Sequence, residues 1–262
     1  MIAVIPARYA SSRFPGKLLC PLHGTSILAH VIARARCVPA FDRILVATDD
    51  ARIEAEARAA GAEVRLTSPD HPSGSDRIGE VVRGLDEPPD FVVNLQGDEP
   101  LFSPAAIGRM IDALRGQPDA IWTLAEPIAD EAEFQRPSAV KVVRAPDGRA
   151  LYFSRAPIPF RREAGAFPPP AGGGDRSEEF RPLRHVGVYG YPYRRLEEFL
   201  AAPRGRLEGI EGLEQLRALE AGIPIRVHLG AWPDPGIDTP EDLERTLSRY
   251  PTRARLDQAG RP

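Results

Sequence analysis

The chain is predicted to fold as an α/β protein built on a mostly parallel sheet, and two observations lead to this class. In roughly the first 120 residues, short apolar runs alternate with longer amphipathic segments, the order expected when helices cross over between parallel strands. In addition, 42% of the 262 residues are hydrophobic, which is enough for one sizeable core.

The first half alternates regularly between four predicted buried strands and four predicted helices. The strands are Ile2–Ile5, Ile44–Thr48, Val64–Leu66 and Phe91–Leu95. The helices are Ser26–Arg36, Ala51–Ala60, Ser75–Gly84 and Pro104–Leu114. Because strands linked by helices pair in parallel through right-handed crossovers, this half is expected to form the parallel part of the sheet.

After about residue 120 the pattern changes to longer, more exposed strands with hairpin-like joins, which predicts a smaller mixed α+β lobe. The expected strands are Ile121–Ala125, Val140–Arg144, Ala150–Phe153 and His185–Tyr191. They are followed by helices over Arg194–Ala201 and Gly209–Ala221, a strand over Ile223–Leu229, and a last helix that begins after Thr239. Residues 161–181, rich in Pro and Gly, are expected to form a surface loop within this lobe.

Composition and charge argue against several classes of protein. The net charge is −3 and charges are dispersed, so nothing points to a nucleic-acid partner. The sequence contains no apolar stretch of membrane-spanning length and no signal-peptide pattern at its start. Cys20 and Cys37 form no CxxC pair, which fits a reducing compartment, and we expect a cytoplasmic protein.

A cationic loop over residues 6–17 follows the first predicted strand, and it brings together Arg8, Arg13 and Lys17. In open α/β sheets, ligands bind at the carboxyl ends of strands. Cations at this edge suit a polyphosphate such as a nucleoside triphosphate, and Gly16 lets the backbone approach a ligand closely. The loop has neither the GxxxxGK[ST] nor the GxGxxG pattern, so ATPase and dinucleotide-binding functions lose their main support. The alternative is that these are solvated surface charges.

Two acidic residues are candidate ligands for a magnesium ion beside that polyphosphate. Asp98 follows the strand that ends at Leu95, and Asp238 precedes Thr239 at the last helix. Mg²⁺ takes a few carboxylate oxygens and completes its shell with water and phosphate oxygens. The structural alternatives are a turn in which Asp98 bonds its own backbone, and a plain helix cap at Asp238 and Thr239.

Further candidate residues have structural explanations of equal weight. Ser75 or Asp76 is expected to cap a helix, whose start also attracts anions. Arg155, at a strand end, suits a substrate carboxylate, and a lone histidine such as His185 is more often structural. Glu214 and Gln215 flank a predicted apolar stripe on one helix, formed by Ile210, Leu213, Leu216 and Leu219.

These segments together resemble the 3-deoxy-manno-octulosonate (Kdo) cytidylyltransferase family. The resemblance runs from residue 2 to about residue 248 and rests on eight segments in the family's order. They are Pro6–Lys17, Ser73–Arg77, Gln96–Pro100, Ala139–Lys141, Leu151–Arg155, Arg184–Tyr191, Leu213–Arg217 and Asp238–Leu243.

The resemblance implies a Rossmann-like nucleotidyltransferase fold of the glycosyltransferase-A type. It also implies a homodimer that transfers CMP from CTP to Kdo with Mg²⁺ as cofactor, releases pyrophosphate and feeds lipopolysaccharide biosynthesis. Residues 1–262 then form a single nucleotidyltransferase domain. Residues 1–119 are mainly its nucleotide-binding half, 120–230 its sugar-binding and dimerisation lobe, and 231–250 a returning metal-ligand loop with the C-terminal helix.

Carried over by position, the resemblance also assigns site residues. Those expected at the nucleotide are Arg8, Ser11, Ser12, Arg13, Lys17, Ser73, Gly74, Arg77 and Gln96. Those expected at the sugar acid are Arg155, His185, Tyr189, Glu214 and Gln215. Asp98 and Asp238 are the implied metal ligands, and Lys17, Arg8 and Asp98 the implied catalytic residues.

Two other functions stay open on the sequence. One is the same chemistry with another sugar acid, 8-amino-Kdo or a sialic acid, because an apparent insertion at residues 168–175 falls between the implied sugar-site segments. The other is a non-catalytic nucleotide-binding module on the same fold. It predicts loss of the acids and cations, whereas Arg8, Lys17, Asp98 and Asp238 are all present.

Overall fold

The structure is a computed structural model that describes residues 1–11, 13–160, 162, 181–232 and 236–258. Ser12 and most of the 161–181 loop expected from the sequence lie outside these residues. Within the described part, no helix is both long and apolar enough to cross a membrane.

The first half contains the predicted strand–helix alternation, with a small additional hairpin after the cationic loop. A single 3₁₀ turn, Lys17–Leu19, precedes that hairpin. The elements are β1 (Ile2–Ala7), β2 (Pro21–Leu22), β3 (Thr25–Ser26), α1 (Ile27–Ala35), β4 (Arg43–Thr48), α2 (Ala51–Ala59), β5 (Glu63–Leu66), α3 (Gly74–Arg83), β6 (Phe91–Asn94) and α4 (Pro104–Gly116).

The second half contains the predicted longer strands, together with shorter helices. The elements are β7 (Ile121–Pro127), α5 (Glu131–Gln135), β8 (Lys141–Arg144), β9 (Ala150–Ser154), β10 (Leu183–Pro192), α6 (Tyr193–Ala201), α7 (Arg206–Glu211), α8 (Gln215–Glu220), β11 (Ile225–Leu229), α9 (Pro240–Arg249) and α10 (Arg253–Gln258).

Among the described residues, nine of the strands form one sheet with the order β11-β7-β10-β6-β1-β4-β5, and β8 and β9 extend it from β10. β1 pairs in parallel with β4 and β6, and β4 with β5. The long strand β10 runs antiparallel to both β6 and β7. The parallel half and the mixed lobe therefore join at β10, as the change of pattern near residue 120 predicted.

Strand residues alternate between two cores, one on each face of the sheet. In β1, Ile5 packs into one core and Val4 into the other, and both are fully buried. Helices α1, α2 and α4 cover the first face with residues such as Leu28, Ile53 and Ile107. Helices α3, α6 and α8 cover the second face. Both faces of the sheet are thus covered, which explains the continuous apolar runs of its parallel strands.

Two predicted local features are wrong. Helix α3 is capped by Ser73, whose hydroxyl accepts from the Asp76 amide, and not by Ser75 or Asp76. The predicted helix over Gly209–Ala221 is two helices, because Gly212 adopts a left-handed conformation with φ 61° that ends α7. The expected apolar stripe is broken with it, since Ile210 is 71% exposed.

Candidate active site

The predicted nucleotide loop and both candidate metal ligands meet at one lysine. The Lys17 ammonium lies 2.5 Å from Asp98 Oδ2 and 2.9 Å from Asp238 Oδ1. Asp98 follows β6 and the loop of Lys17 follows β1, and these two strands are neighbours in the sheet. The residues converge because the carboxyl ends of parallel strands share one edge.

Asp238 reaches this edge through a tight helix start. Thr239 caps α9 by accepting from the Asp242 amide, and the Asp242 carboxylate accepts from the amides of Asp238 and Thr239. The Ile237 amide donates to the carbonyl of Asp98 at 2.9 Å. A Cβ at Gly236 would lie 3.3 Å from that same carbonyl oxygen. The cap predicted from the sequence is therefore present, and it holds Asp238 beside Asp98.

Charge dominates the environment of Lys17, whose side chain is only 10% exposed. Burial lowers the pKa of this ammonium, but contacts with Asp98 and Asp238 outweigh burial and raise the pKa above its ordinary value. Arg13 adds a second cation, with Nη2 2.9 Å from the other oxygen of Asp238. Lys17 and Arg13 thus compensate the two carboxylates in the absence of any ligand.

Glu99 is a buried carboxyl in this region that sequence reasoning missed. Burial, and then the neighbouring charge of Asp98, raise its pKa to about 8. Its Oε2 atom and Nε1 of the nearby Trp232 are both sealed from solvent. The only sequence signal was its position next to Asp98. At neutral pH this carboxyl is mostly protonated, so it adds little negative charge to the pair formed by Asp98 and Asp238.

The start of α3 links the predicted nucleotide segment to the predicted sugar segment. Ser73 Oγ lies 2.7 Å from Glu214 Oε1 and 2.7 Å from Asp76 Oδ2, and Ser75 Oγ donates to Glu214 Oε2 at 3.1 Å. A hydroxyl carries a single proton and donates to one acceptor at a time. Burial raises the pKa of Glu214, and the hydrogen bonds that Ser73 and Ser75 donate to its carboxylate partly offset this rise. Gly74 lies against Pro6 of β1.

Arg8 and Arg77 lie close enough for their positive charges to act on each other. Arg8 donates to the backbone carbonyl of His71. Arg77 is completely buried, forms an ion pair with Asp49 at 3.1 Å and donates to Thr67 Oγ1 at 2.5 Å. Burial, partly offset by Asp49 and reinforced by Arg8, lowers the pKa of Arg77. Because it is completely buried, Arg77 lies beneath the surface and not at an open face. Two of its nitrogens, Nε and Nη2, have no hydrogen-bond partner there.

The predicted residues Gln96 and His185 are both tied to β10. Gln96 Nε2 donates to the carbonyl of Gly187 at 2.9 Å. His185 Nε2 lies 2.9 Å from Thr123 Oγ1, which donates to the carbonyl of Val188 at 2.8 Å. Thr123 also lies 3.1 Å from the carbonyl of Val186, and when its single proton goes to either carbonyl, Nε2 of His185 is the donor to Thr123 and Nδ1 is an acceptor. Burial, and then Arg184, lower the pKa of His185 to about 3, so the ring is neutral.

An aromatic series extends from His185 across the sheet. The ring centroids of His185 and Tyr189 are 5.5 Å apart, those of Tyr189 and Tyr191 6.0 Å, and those of Tyr191 and Phe199 6.2 Å. Tyr189, Glu214 and Gln215 line one small cavity together. Gln215 is 6% exposed, and its Nε2 has no hydrogen-bond partner. Three of the predicted sugar residues therefore share one surface, with an unused amide donor.

Arg155 is half-buried beyond this cavity, at the end of β9. Its guanidinium donates from Nε to the carbonyl of Glu211 at 2.8 Å, from Nη1 to that of Pro137 at 3.2 Å and from Nη2 to that of Gly212 at 3.3 Å. Three of its five N–H groups are thus used by neutral carbonyls. The others remain for an anion, the role predicted for this residue.

The carboxylates fit a magnesium ion that arrives with phosphates. Asp98 and Asp238 both approach the Lys17 ammonium, so a single cation can reach both. Among the described residues, no group of three or more His, Cys, Asp and Glu side chains is arranged to hold a metal. Two carboxylates with the rest of the shell left to water and phosphate oxygens is the coordination that Mg²⁺ accepts.

Comparison with known proteins identifies the family. A family model described as cytidylyltransferase matches residues 2–226. A 3-deoxy-manno-octulosonate cytidylyltransferase of Anaeromyxobacter sp. (strain Fw109-5) is 50% identical over 242 residues, which cover 92% of this chain and 93% of that protein. This chain belongs to the cytidylyltransferase family. Its membership explains why a cationic loop and two distant acids meet at one sheet edge.

Two further comparisons refine the placement within the family. The solved structure of a CMP:2-keto-3-deoxy-manno-octonic acid synthetase complexed with CTP has a TM-score of 0.84 and 40% identity, and covers 95% of this chain and 97% of that one. An 8-amino-3,8-dideoxy-manno-octulosonate cytidylyltransferase of Shewanella amazonensis is 43% identical, over 94% of this chain and 96% of that protein. The fold is therefore the expected nucleotidyltransferase α/β fold.

Proposed function

We propose that this chain transfers CMP from CTP to Kdo, giving CMP-Kdo and pyrophosphate for lipopolysaccharide biosynthesis. One observation carries the proposal. In a chain of the cytidylyltransferase family, the Lys17 ammonium lies between the carboxylates of Asp98 and Asp238 at the carboxyl ends of the central strands. A lysine and two acids at this edge form a site for a triphosphate and its counter-ion.

The loop after β1 binds the triphosphate in this proposal. Arg13 is 61% exposed and Lys17 is held at its inner end, so both charges are available at one edge of the sheet. Gly16 adopts φ 71° and leaves no room for a side chain, since a Cβ would lie 3.0 Å from the ring of Tyr9. The loop is thereby folded back on itself, which directs its cations toward the phosphates. Ser11, Ser12, Ser73, Gly74 and Gln96 stay predicted nucleotide contacts. Arg77, predicted with them, is completely buried and has no exposed surface for such a contact.

Asp98 and Asp238 hold Mg²⁺ in this proposal. The ion, when bound, supplies positive charge to the reacting phosphate and lowers the pKa of a hydroxyl that it contacts. Lys17 and Arg13 compensate both carboxylates before the ion arrives. Once phosphates are present, the same two cations are free to neutralise the leaving pyrophosphate.

The sugar acid binds along the second lobe. The uncommitted N–H groups of Arg155 suit its carboxylate, and Nδ1 of His185 suits a hydroxyl. Glu214, Gln215 and Tyr189, which line one small cavity, stay predicted contacts of the sugar acid. The anomeric oxygen of Kdo then attacks the α-phosphorus, the bond from that phosphorus to the bridging oxygen breaks and pyrophosphate leaves, and the hydroxyl proton passes to water. The protein's part is to position the reactants and to stabilise charge.

The alternative substrate 8-amino-Kdo rests on the relative from Shewanella amazonensis that carries its name, at 43% identity against 50% for the Kdo-named relative. Both substrates use the same phosphate site, so only the sugar distinguishes them. A non-catalytic module remains the alternative of a different class. Binding a nucleotide without turnover does not require a lysine within 2.9 Å of two acids at a strand edge.

A pyrophosphate-release assay tests the proposal. Purified protein with CTP and Mg²⁺ is given Kdo, 8-amino-Kdo or a sialic acid in parallel reactions. We expect release with Kdo, and none when the metal or the sugar acid is omitted. Faster turnover of 8-amino-Kdo or of the sialic acid would overturn the choice of substrate. Two outcomes would overturn the proposed function. One is pyrophosphate release in the absence of any sugar acid, and the other is no release with any of the three sugar acids.

We also propose a homodimer located in the cytoplasm. Three large apolar side chains of the second lobe are exposed, namely Leu151 at 48%, Phe160 at 88% and Ile210 at 71%. Exposed apolar side chains mark a protein interface where they form one contiguous patch. Light scattering on the eluting protein checks the assembly: a mass of twice 28.6 kDa is expected, and a monomer at micromolar concentration would contradict it. The unpaired Cys20 and Cys37 are consistent with a reducing compartment.

A further inference from the structure

Lys141 is a fully buried lysine to which the proposed function assigns no role. It has no exposed surface, and its ammonium donates to three backbone carbonyls. The acceptors are Arg136 at 2.9 Å, Ala139 at 2.6 Å and Arg155 at 2.7 Å. An ammonium has three N–H donors, so every one of them is used. A buried charge is costly unless it is hydrogen-bonded in this way, which makes these contacts a fixed feature of the fold.

Arg155 is bound to its surroundings in the same manner. Its guanidinium donates to the carbonyls of Pro137, Glu211 and Gly212. Its backbone is fixed as well, because the Glu211 carboxylate accepts from the Arg155 amide at 3.0 Å and from Ser154 Oγ at 2.5 Å. Lys141 and Arg155 therefore organise six carbonyls between them.

The two cations share one loop, which comprises residues 136–139. The carbonyls of Arg136 and Ala139 accept from Lys141, and the carbonyl of Pro137, between them, accepts from Arg155. Lys141 also donates to the backbone carbonyl of Arg155 itself. Next to it, the carbonyl of Val140 accepts from the His185 amide at 2.8 Å. The segment around Lys141 thus contacts the backbones of two predicted sugar residues, Arg155 and His185.

The charges favour an anion on the open side of this arrangement. Burial lowers the pKa of Lys141, and the positive charge of Arg155 lowers it further, which shows that the two cations are close enough to repel each other. All six acceptors of these two side chains are neutral backbone carbonyls. The acids whose charge acts on Lys141 are Glu211 and Glu133. A carboxylate at the uncommitted N–H groups of Arg155 relieves that repulsion.

We infer that Lys141 is a positioning residue for sugar-acid recognition, which holds the 136–139 loop and the end of β9 so that Arg155 presents its free N–H groups to the carboxylate of the substrate. The inference rests on the proposed function. Lys141 touches no substrate, because it is completely buried. Its effect therefore acts through Arg155 and is confined to the sugar acid, leaving the binding of CTP unchanged.

The test is steady-state kinetics of Lys141→Met, which keeps the length of the side chain and removes its three donors. We expect KM for Kdo to rise by about tenfold or more, as expected when a charge-assisted contact is misaligned, while KM for CTP changes less than about twofold. Pro137→Gly is the second variant. Pro137 is exposed, so this change loosens the loop without opening the core, and it should raise KM for Kdo in the same direction even where Lys141→Met fails to fold.

A matched control separates positioning from general destabilisation. Arg195 on α6 also donates from a cation to a backbone carbonyl, that of Asp119 at 2.8 Å, and forms an ion pair with Glu198. Arg195→Met should lower the melting temperature and leave KM for Kdo unchanged. An equal rise in KM for Kdo in the Arg195 variant would contradict a specific role for Lys141.

A double-mutant cycle with Arg155→Ala decides whether Lys141 acts through Arg155. We expect the double variant to lose no more kcat/KM for Kdo than Arg155→Ala alone. Fully additive losses, or an unchanged KM for Kdo in folded Lys141→Met and Pro137→Gly, would overturn the inference. Failure of the proposed function is distinguishable, because it is seen in the wild-type protein as absence of Kdo-dependent pyrophosphate release.

Discussion

At the scale of single residues, the defining contact of this protein is a lysine that takes the place between two acids. Lys17 lies 2.5 Å from Asp98 and 2.9 Å from Asp238, although the three residues are far apart in the sequence. Like-charged carboxylates repel each other unless a cation lies between them. Lys17 supplies that cation, and in the proposed function phosphates and a metal ion compete for the same groups.

Asp98→Asn is the most direct test of the metal site. The amide keeps the shape of the side chain but loses the charge that holds a divalent ion, so kcat should fall by about 10²-fold or more. The melting temperature should change little. Pyrophosphate release and thermal unfolding measure the two effects. Asp112→Asn, on the exposed face of α4, is the matched control and should retain full activity. Near-normal turnover of Asp98→Asn would show that Asp98 is not a metal ligand.

Lys17→Met should separate metal binding from turnover. Without the ammonium, Asp98 and Asp238 face each other uncompensated, so Mn²⁺ in the absence of nucleotide should bind about tenfold or more tightly than to the wild type. Turnover should nevertheless be lost, because the leaving pyrophosphate has no lysine to neutralise it. Paramagnetic resonance of free Mn²⁺ measures the affinity. Unchanged or weaker Mn²⁺ binding would show that Lys17 does not compete with the ion.

His185 makes stability depend on pH in the acidic range. Its pKa is lowered from 6.5 to about 3 in the folded protein. Between these values the unfolded chain binds a proton that the folded chain does not, so stability rises with pH in this window and falls as pH drops through it. His185→Gln removes the titrating group. Its melting temperature should therefore fall less than that of the wild type between pH 7 and about pH 4.5; parallel curves would contradict the assignment.

At the scale of elements, α9 positions Asp238, the proposed second metal ligand, through its first turn. Thr239 accepts from the Asp242 amide at 3.2 Å, and Asp238 is the residue just before this cap. Thr239→Ala should cost about 1 kcal/mol of stability and lower kcat as Asp238 loses its fixed backbone. Ser103→Ala is the matched control, because Ser103 caps α4 by the same type of bond to Ala106. It should cost similar stability without reducing kcat. Equal kcat in both variants would contradict a special role for the α9 cap.

Local signals in the sequence predicted most elements but not the contacts between them. The Thr239 cap follows from a threonine, a proline and acids in succession, and the structure confirms it. The helix predicted over Gly209–Ala221 fails because the apolar spacing took no account of Gly212, which ends α7 in a left-handed conformation. As a result Glu214 lies at the start of α8, from where it reaches Ser73, 141 positions away in the sequence.

Buried polar groups were the hardest part of the site to predict. Glu99 stands beside Asp98 in the sequence, but its raised pKa depends on burial, which only the packed structure defines. Lys141 lies in a segment that resembles the family, yet its three acceptors come from one loop, residues 136–139, and from a strand end. Residue type and spacing indicate what a side chain can do, whereas its partners are decided by the way distant elements pack.

At the scale of the whole molecule, the sheet order explains how two substrates meet. Strand β10 lies between the parallel half and β7, and it pairs with β6, the strand that leads to Asp98. His185 and Tyr189 lie on β10, so the predicted sugar residues and the phosphate edge belong to adjacent strands. Gln96 joins the two by donating to Gly187. Binding of nucleotide and metal at this junction should therefore stabilise the whole sheet.

Thermal unfolding with ligands tests this expectation. Ligand that binds only the folded state adds stability by mass action, about 2.7 kcal/mol at a concentration of 100 times Kd, which corresponds to a rise of roughly 5–10 °C for a chain of this size. CTP with Mg²⁺ should give such a rise, and CTP alone a smaller one because the phosphates then lack the ion that Asp98 and Asp238 hold. In Asp98→Asn the contribution of Mg²⁺ should vanish while that of CTP persists. A rise independent of Mg²⁺ in the wild type would mean that the two carboxylates do not bind the ion that accompanies the nucleotide.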